Sequence, residues 1–178
     1  ALGGPAFFNV EGLAAAFGYN RSFLMPTIDQ VSMFPLVRQV MSDEAPDDSD
    51  PAALLTQQLD AISHYIPPSI GEIFIAIGVK FNSFKLLDSF ALLSVSFGNR
   101  VEIDLLGQTN IIVPSEIPEG VSPLAKIKIQ LMAKFIPEEG FLGVQAQLTK
   151  DSYVLSKDCH LTGGAAFYSW FKDQPGTE

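Results

Sequence analysis

Cysteine occurs once in these 178 residues, as Cys159, so an internal disulfide framework is excluded and the redox compartment stays open. Histidine is nearly as scarce. His64 and His160 lie far apart and in no metal-binding spacing such as HExxH. Basic residues number 11 against 20 acidic ones, a formal net charge of -9. That balance argues against nucleic acid, whose phosphates call for a basic patch, and against attraction to an anionic membrane surface. No apolar run approaches the roughly 18 residues of a membrane-spanning helix. The longest, residues 73–81, contains Lys80 and alternates as a strand does. No GxSxG, phosphate-cradling glycine loop or CxxC pair occurs, and we expect no cofactor. A charged-then-apolar leader is missing at the start, and a chain beginning at Ala1 without Met is expected to be a processed product or a fragment.

Charge of either sign is sparse too. Charged residues make up 17% of the chain, below the usual figure of about 25%, while 47% are hydrophobic. Such a chain buries both faces of its elements, or carries an apolar surface that a neighbour or ligand covers. We favour the neighbour.

What the chain has in quantity is alternation. Ile73, Ile75, Ile77, Val79 and Phe81 fall at every second position, as do Leu87, Ala91, Leu93, Val95 and Phe97, and then Ile127, Ile129, Leu131, Ala133 and Phe135. A period of two marks a sheet with one face toward a core. Residues 7–19 read as a first strand, closed by a loop from Asn20-Arg21. Residues 28–66 are the helical stretch: Phe34, Val37 and Met41 form one stripe, with Pro35 in a first turn. Leu54, Leu55, Leu59, Ile62 and Ile66 form a second stripe, with Asp50-Pro51 as its start and Pro67-Pro68 as its stop. About six antiparallel strands follow, with turns at Gly98-Asn99 and residues 137–140, a longer connection over 113–123, a turn over 151–158, and a last strand over 160–171.

The expected fold is therefore α+β and predominantly antiparallel β. It is a twisted meander sheet or half-barrel with a two-helix insertion after the first strand, forming a single domain or part of a longer β-rich protein. We assign the Ile73–Phe81 stripe to the core. The opposite face, with Phe74, Ala76, Gly78, Phe90 and Leu92, then needs a cover, and the two helices are the economical one. Further along that face, Glu102 and Asp104 are expected to oppose Lys126, Lys128 and Lys134 if their strands are neighbours.

Candidate chemistry is thin. His64 suits a helix C-terminus as a cation. Cys159 and His160, adjacent on a strand, would point to opposite faces and could not act as a pair. The acidic loop with Asp43, Glu44, Asp47, Asp48 and Asp50 could bind a hard cation such as calcium but lacks EF-hand spacing, and a plain solvated linker is the preferred reading. Glu138 and Glu139 read as exposed turn acids. Tyr168 and Trp170 share a face beside Thr162 and can form an aromatic ledge that stacks on a sugar or holds an apolar ligand; core or inter-module packing is the plainer role. Asn20-Arg21-Ser22 is a glycosylation sequon, usable only in a secreted chain.

Four segments together carry a family resemblance: GLAAAFGYN over 12–20, FPLV over 34–37, SFALLSVSFG over 89–98, and SYVL with CHLTGGAAFYSWF over 152–171. In that order, over nearly the whole chain, they resemble a large uncharacterised bacterial and fungal β-rich family, domain of unknown function 6603. The resemblance implies a long multi-strand protein that continues past the last strand, and it supplies no catalytic residues. Ala14-Ala15-Ala16 departs from it, standing where more glycine is expected.

The leading functional expectation is a non-catalytic structural or interaction module whose partners are neighbouring β-modules or a second copy. An apolar small molecule or lipid held against Phe74, Phe90 and Leu92 is the alternative. A hydrolase built on Glu102 and Asp104, or a carbohydrate-binding module, comes after it. No nucleic-acid partner and no transmembrane segment are expected, and the compartment, secreted or cytoplasmic, is not indicated.

Overall fold

The alternation resolves into one open antiparallel sheet. The computed structural model of the chain describes residues 8–41, 56, 60–84, 86–115, 118 and 120–172. The strands are β1 (Phe8–Arg21), β2 (Pro68–Ser83), β3 (Leu87–Phe97), β4 (Glu102–Val113), β5 (Ala125–Ile136), β6 (Phe141–Leu148), β7 (Tyr153–Val154) and β8 (Gly164–Trp170). They lie in the order β1-β2-β3-β4-β5-β6-β8, and the short β7 pairs with β5 beyond the end of β6. The expected meander with a helical insertion after the first strand is what forms, as an open sheet whose end strands do not pair.

Local boundaries differ in three places. β1 runs on through Asn20, which takes a positive φ of 52°, to Arg21. Asn20 can do so because Asn tolerates the left-handed region, and its Oδ1 accepts from Gly71 N at 2.9 Å. The last strand starts at Gly164 rather than at residue 160; His160 makes only an isolated bridge to Tyr153. The turn expected over 151–158 contains β7.

The helical insertion contributes a 3-10 segment (Ile28–Met33) and α1 (Pro35–Met41), and residues 60–63 are helical as well. The remainder of the second stripe (Leu54, Leu55 and Leu59), the Asp50-Pro51 start and the acidic loop lie outside the described residues. Phe34, Val37 and Met41 are buried, as their spacing predicts. They pack on Phe74, Ala76, Phe90, Leu92 and Leu106, with the Phe23 ring tilted against that of Phe74 at 5.0 Å and Tyr65 set edge-on to Phe34 at 4.7 Å. Gly18, directly opposite Phe74 on β1, is where a side chain cannot fit: a Cβ there would stand 2.1 Å from the Phe74 ring. The helices cover the Phe74–Leu92 face, as expected.

Three polar side chains of the sheet fix the cover in place. Lys80 donates to Val40 O at 3.0 Å, where a cation complements the carbonyl end of α1. Gln130 on β5, its amide nitrogen toward Ile28 O at 3.1 Å, accepts from Ser32 N at 2.9 Å and Ser32 Oγ at 2.6 Å. Gln147 on β6 donates to Asp29 Oδ1 at 2.9 Å.

The assignment of the core face is corrected. Phe74, Ala76, Phe90, Leu92 and Leu106 are each 3% exposed or less, whereas Ile75 is 45%, Ile77 51% and Leu93 44% exposed. The core therefore lies on the face read as outer. The physical reason is that both faces of β2 and β3 are apolar, and the single helical cover can close only one of them.

Candidate functional site

Two surfaces stand out, one on each side of the sheet. The open face is built from the residues that register places beside the Ile73–Phe81 stripe. Across the middle of the sheet one row runs Ala15, Ile77, Leu93, Leu105, Ala133, Val144 and Phe167; the next runs Phe17, Ile75, Val95, Ile103, Phe135, Leu142 and Ser169. All of these side chains are at least partly exposed. Phe171 continues the surface, stacked 5.9 Å from Phe135. Every charged residue within β2–β8 (Glu72, Lys80, Asp88, Glu102, Asp104, Lys126, Lys128, Lys134) falls on the other, helix-bearing face. Among the described residues of β2–β8 the open face has hydroxyls but no charge, and Ser89 and Thr109 on it satisfy each other at 3.0 Å.

The helix-bearing face carries the chemistry that exists. Where the helical cover stops, a cleft of about 530 Å³ is lined by Phe23, Glu72, Ser96, Phe97, Arg100, Glu102 and Lys134, among others. Lys134 stands opposite Asp104 in the β4–β5 ladder, 2.6 Å from Glu102 and 3.7 Å from Asp104. Arg100 reaches Glu102 at 2.9 Å and also pairs with Glu139. Thus Lys134 meets the β4 carboxylates as expected, while Lys126 and Lys128 lie opposite Ile112 and Asn110, and Lys128 pairs instead with Asp151 at 3.2 Å. Glu138 accepts from Val101 N at 3.0 Å. Together with the Arg100–Glu139 pair it ties the β5–β6 turn to the β3–β4 turn, a role that turn composition alone gave no sign of.

Asp104 is 2% exposed. Burial works first on its carboxyl; Lys134 opposes that and the neighbouring Glu102 charge adds to it, so the group is pushed up to about 7. Burial acts upward on Glu102 also, but hydrogen bonds from Lys134 and Arg100 outweigh it and hold that carboxyl below its ordinary value. The pair is thus one ionised and one easily protonated carboxyl on a shared lysine. Because folding raises the Asp104 value from 3.8, its contribution to stability is present in full below pH 4 and is lost as pH rises through about 7. Asp104→Asn is expected to stabilise the chain at pH 8 by about 1–3 kcal/mol, with the gain shrinking toward pH 5. Urea unfolding at the two pH values checks it; a gain independent of pH would contradict the assignment.

Phe74, Phe90 and Leu92 lie beneath α1 in the core, so a ligand would reach them only by displacing the helical cover. Tyr168 and Trp170 do form a ledge on the helix-bearing face, 6.4 Å apart, with Phe141 5.3 Å from Trp170 and Gln145 hydrogen-bonded to the Tyr168 hydroxyl. Tyr168 is 45% and Trp170 57% exposed, on the end strand of the sheet. Cys159 is exposed and lies outside any strand. The His64 ring meets Asp60 O at 3.1 Å.

The open face is what sequence reasoning missed as a surface. Its signal was there: the eight strand charges all share one parity until the β5–β6 turn, and none falls in the apolar stripe.

A sequence-family model matches residues 1–177 of the chain. The chain belongs to DUF6603, a family of unknown function. Comparison with curated proteins and with solved structures finds no match. For this DUF6603 chain the site geometry therefore carries the functional reading alone. No helix among its described residues is long and apolar enough to cross a membrane.

Proposed function

We propose that this DUF6603 chain is a non-catalytic interaction module that packs its open sheet face against the apolar sheet of a partner. The observation that carries the reading is the segregation of charge: within β2–β8 one face takes all of it, and the other is mainly apolar and at least partly exposed along its two middle rows. Stacked sheets form when two such faces meet about 10 Å apart. The face is also large. Seven lanes about 4.8 Å apart span roughly 34 Å, and with strands of 7 to 16 residues at about 3.3 Å each the face is on the order of 1,000 Å². The largest apolar patch on an ordinary monomer is about 300–600 Å². Burying such a face is worth more than any single pocket contact on the molecule.

The polar cleft supports a structural role in preference to turnover. Both of its cations are engaged by carboxylates, and the ion pairs join hairpin tips to the sheet. The test is on the isolated chain in solution. It is expected either to associate or to bind an apolar dye such as anilinonaphthalene sulfonate, and Ile77→Lys with Leu93→Lys is expected to abolish whichever occurs. A wild-type monomer that binds no dye overturns the proposal.

A further inference from the structure

The open face is closed by a second copy of the same chain, and we propose an isologous sheet-on-sheet dimer centred on β4. The choice of partner rests on reading that face as an interface. Area argues for it. A stable complex buries about 800 Å² per partner, and homodimer interfaces run larger and more apolar; a face of about 1,000 Å² on each copy supplies that. Chemistry argues for it as well. A charge-free face has no electrostatic label with which to select an unlike partner, and self-pairing requires none. Shape agrees: a sheet of one twist stacks best on a sheet of the same twist, aligned to within about 30°.

Symmetry then makes a specific claim. β4 is the middle lane of the seven. A two-fold axis lying between the sheets, whether along the strands or across them, leaves the part of β4 at the middle of the seven overlapping lanes facing itself. Leu105 sits there, flanked by Leu93 and Ala133. Gly107, in the next row, adds no side chain and leaves a hollow beside it for the partner's Leu105.

The experiment is sedimentation equilibrium of the full chain, joined to cross-linking with a short bismaleimide in a Cys159→Ser background. Wild type is expected to sediment at twice the chain mass, and Ile77→Lys with Leu93→Lys to sediment as a folded monomer. Leu105→Cys is expected to give a covalent dimer, and Trp170→Cys, on the other face, none. A dimer that survives the lysines, or that cross-links through Trp170→Cys and not Leu105→Cys, overturns the proposal. A monomer whose dye binding is abolished by the lysines also overturns it, yet leaves the open face an interface for a different partner. A monomer without dye binding overturns both.

Discussion

Phe74→Ala is expected to cost about 3–5 kcal/mol of folding stability, because it deletes one of the two phenylalanines of the sheet beneath the helical cover and leaves a cavity there. Phe74 is 1% exposed and its ring lies tilted against Phe23; it also occupies the space that Gly18 leaves open. The loss therefore reaches three elements at once: β1, the segment after it, and α1. Its neighbour provides the contrast. Ile75→Ala removes a side chain that is 45% exposed on the open face and is expected to cost about 1 kcal/mol or less in the monomer. Urea unfolding of both variants, at concentrations where the chain is monomeric, gives the two values. Similar losses at the two positions would contradict the division of the sheet into a covered and an open face.

The strands, their order and the helical insertion were legible because they rest on local signals. Alternation marks β2, β3 and β5, turn residues mark the hairpin at 137–140, and Phe34, Val37 and Met41 mark the cover. The end of β1 was less legible, since Asn20 reads as a turn residue and is one in conformation, yet pairing continues past it to Arg21. The start of β8 was hidden for a similar reason: residues 160–163 alternate but are not paired as a strand. Which face forms the core was not legible from β2 and β3 alone. Ile73–Phe81 and Phe74–Leu92 are both apolar sets, and nothing within one strand says where a cover lands. The charges do say it, once register is known. Glu102, Asp104 and Lys134 share a face with Phe74 and Leu92, and their ion pairs fill the part of that face the helices do not reach. Partial burial of charge at an edge of the core is acceptable because each carboxylate finds a cation; the same groups on the open face would prevent a second sheet from closing on it. Of the candidate site residues, Tyr168 and Trp170 lie side by side on the last strand, 6.4 Å apart, whereas Phe74, Phe90 and Leu92 form the floor under α1.

The two faces are separable at a single peptide bond. Leu92 is 2% exposed and Leu93 is 44% exposed, on the same strand and one residue apart. Leu92→Lys places an unpaired ammonium in the core under α1, a change worth several kcal/mol that is expected to unfold the chain. Leu93→Lys places the same ammonium on the open face, where water reaches it in the monomer. It is expected to leave the fold intact and to abolish association. The direct measurement is far- and near-ultraviolet circular dichroism with sedimentation on the two variants side by side. The predicted result is an unfolded Leu92→Lys and a folded, monomeric Leu93→Lys. A folded Leu92→Lys beside an unfolded Leu93→Lys would show that the alternating stripe is the core after all, and would contradict the account.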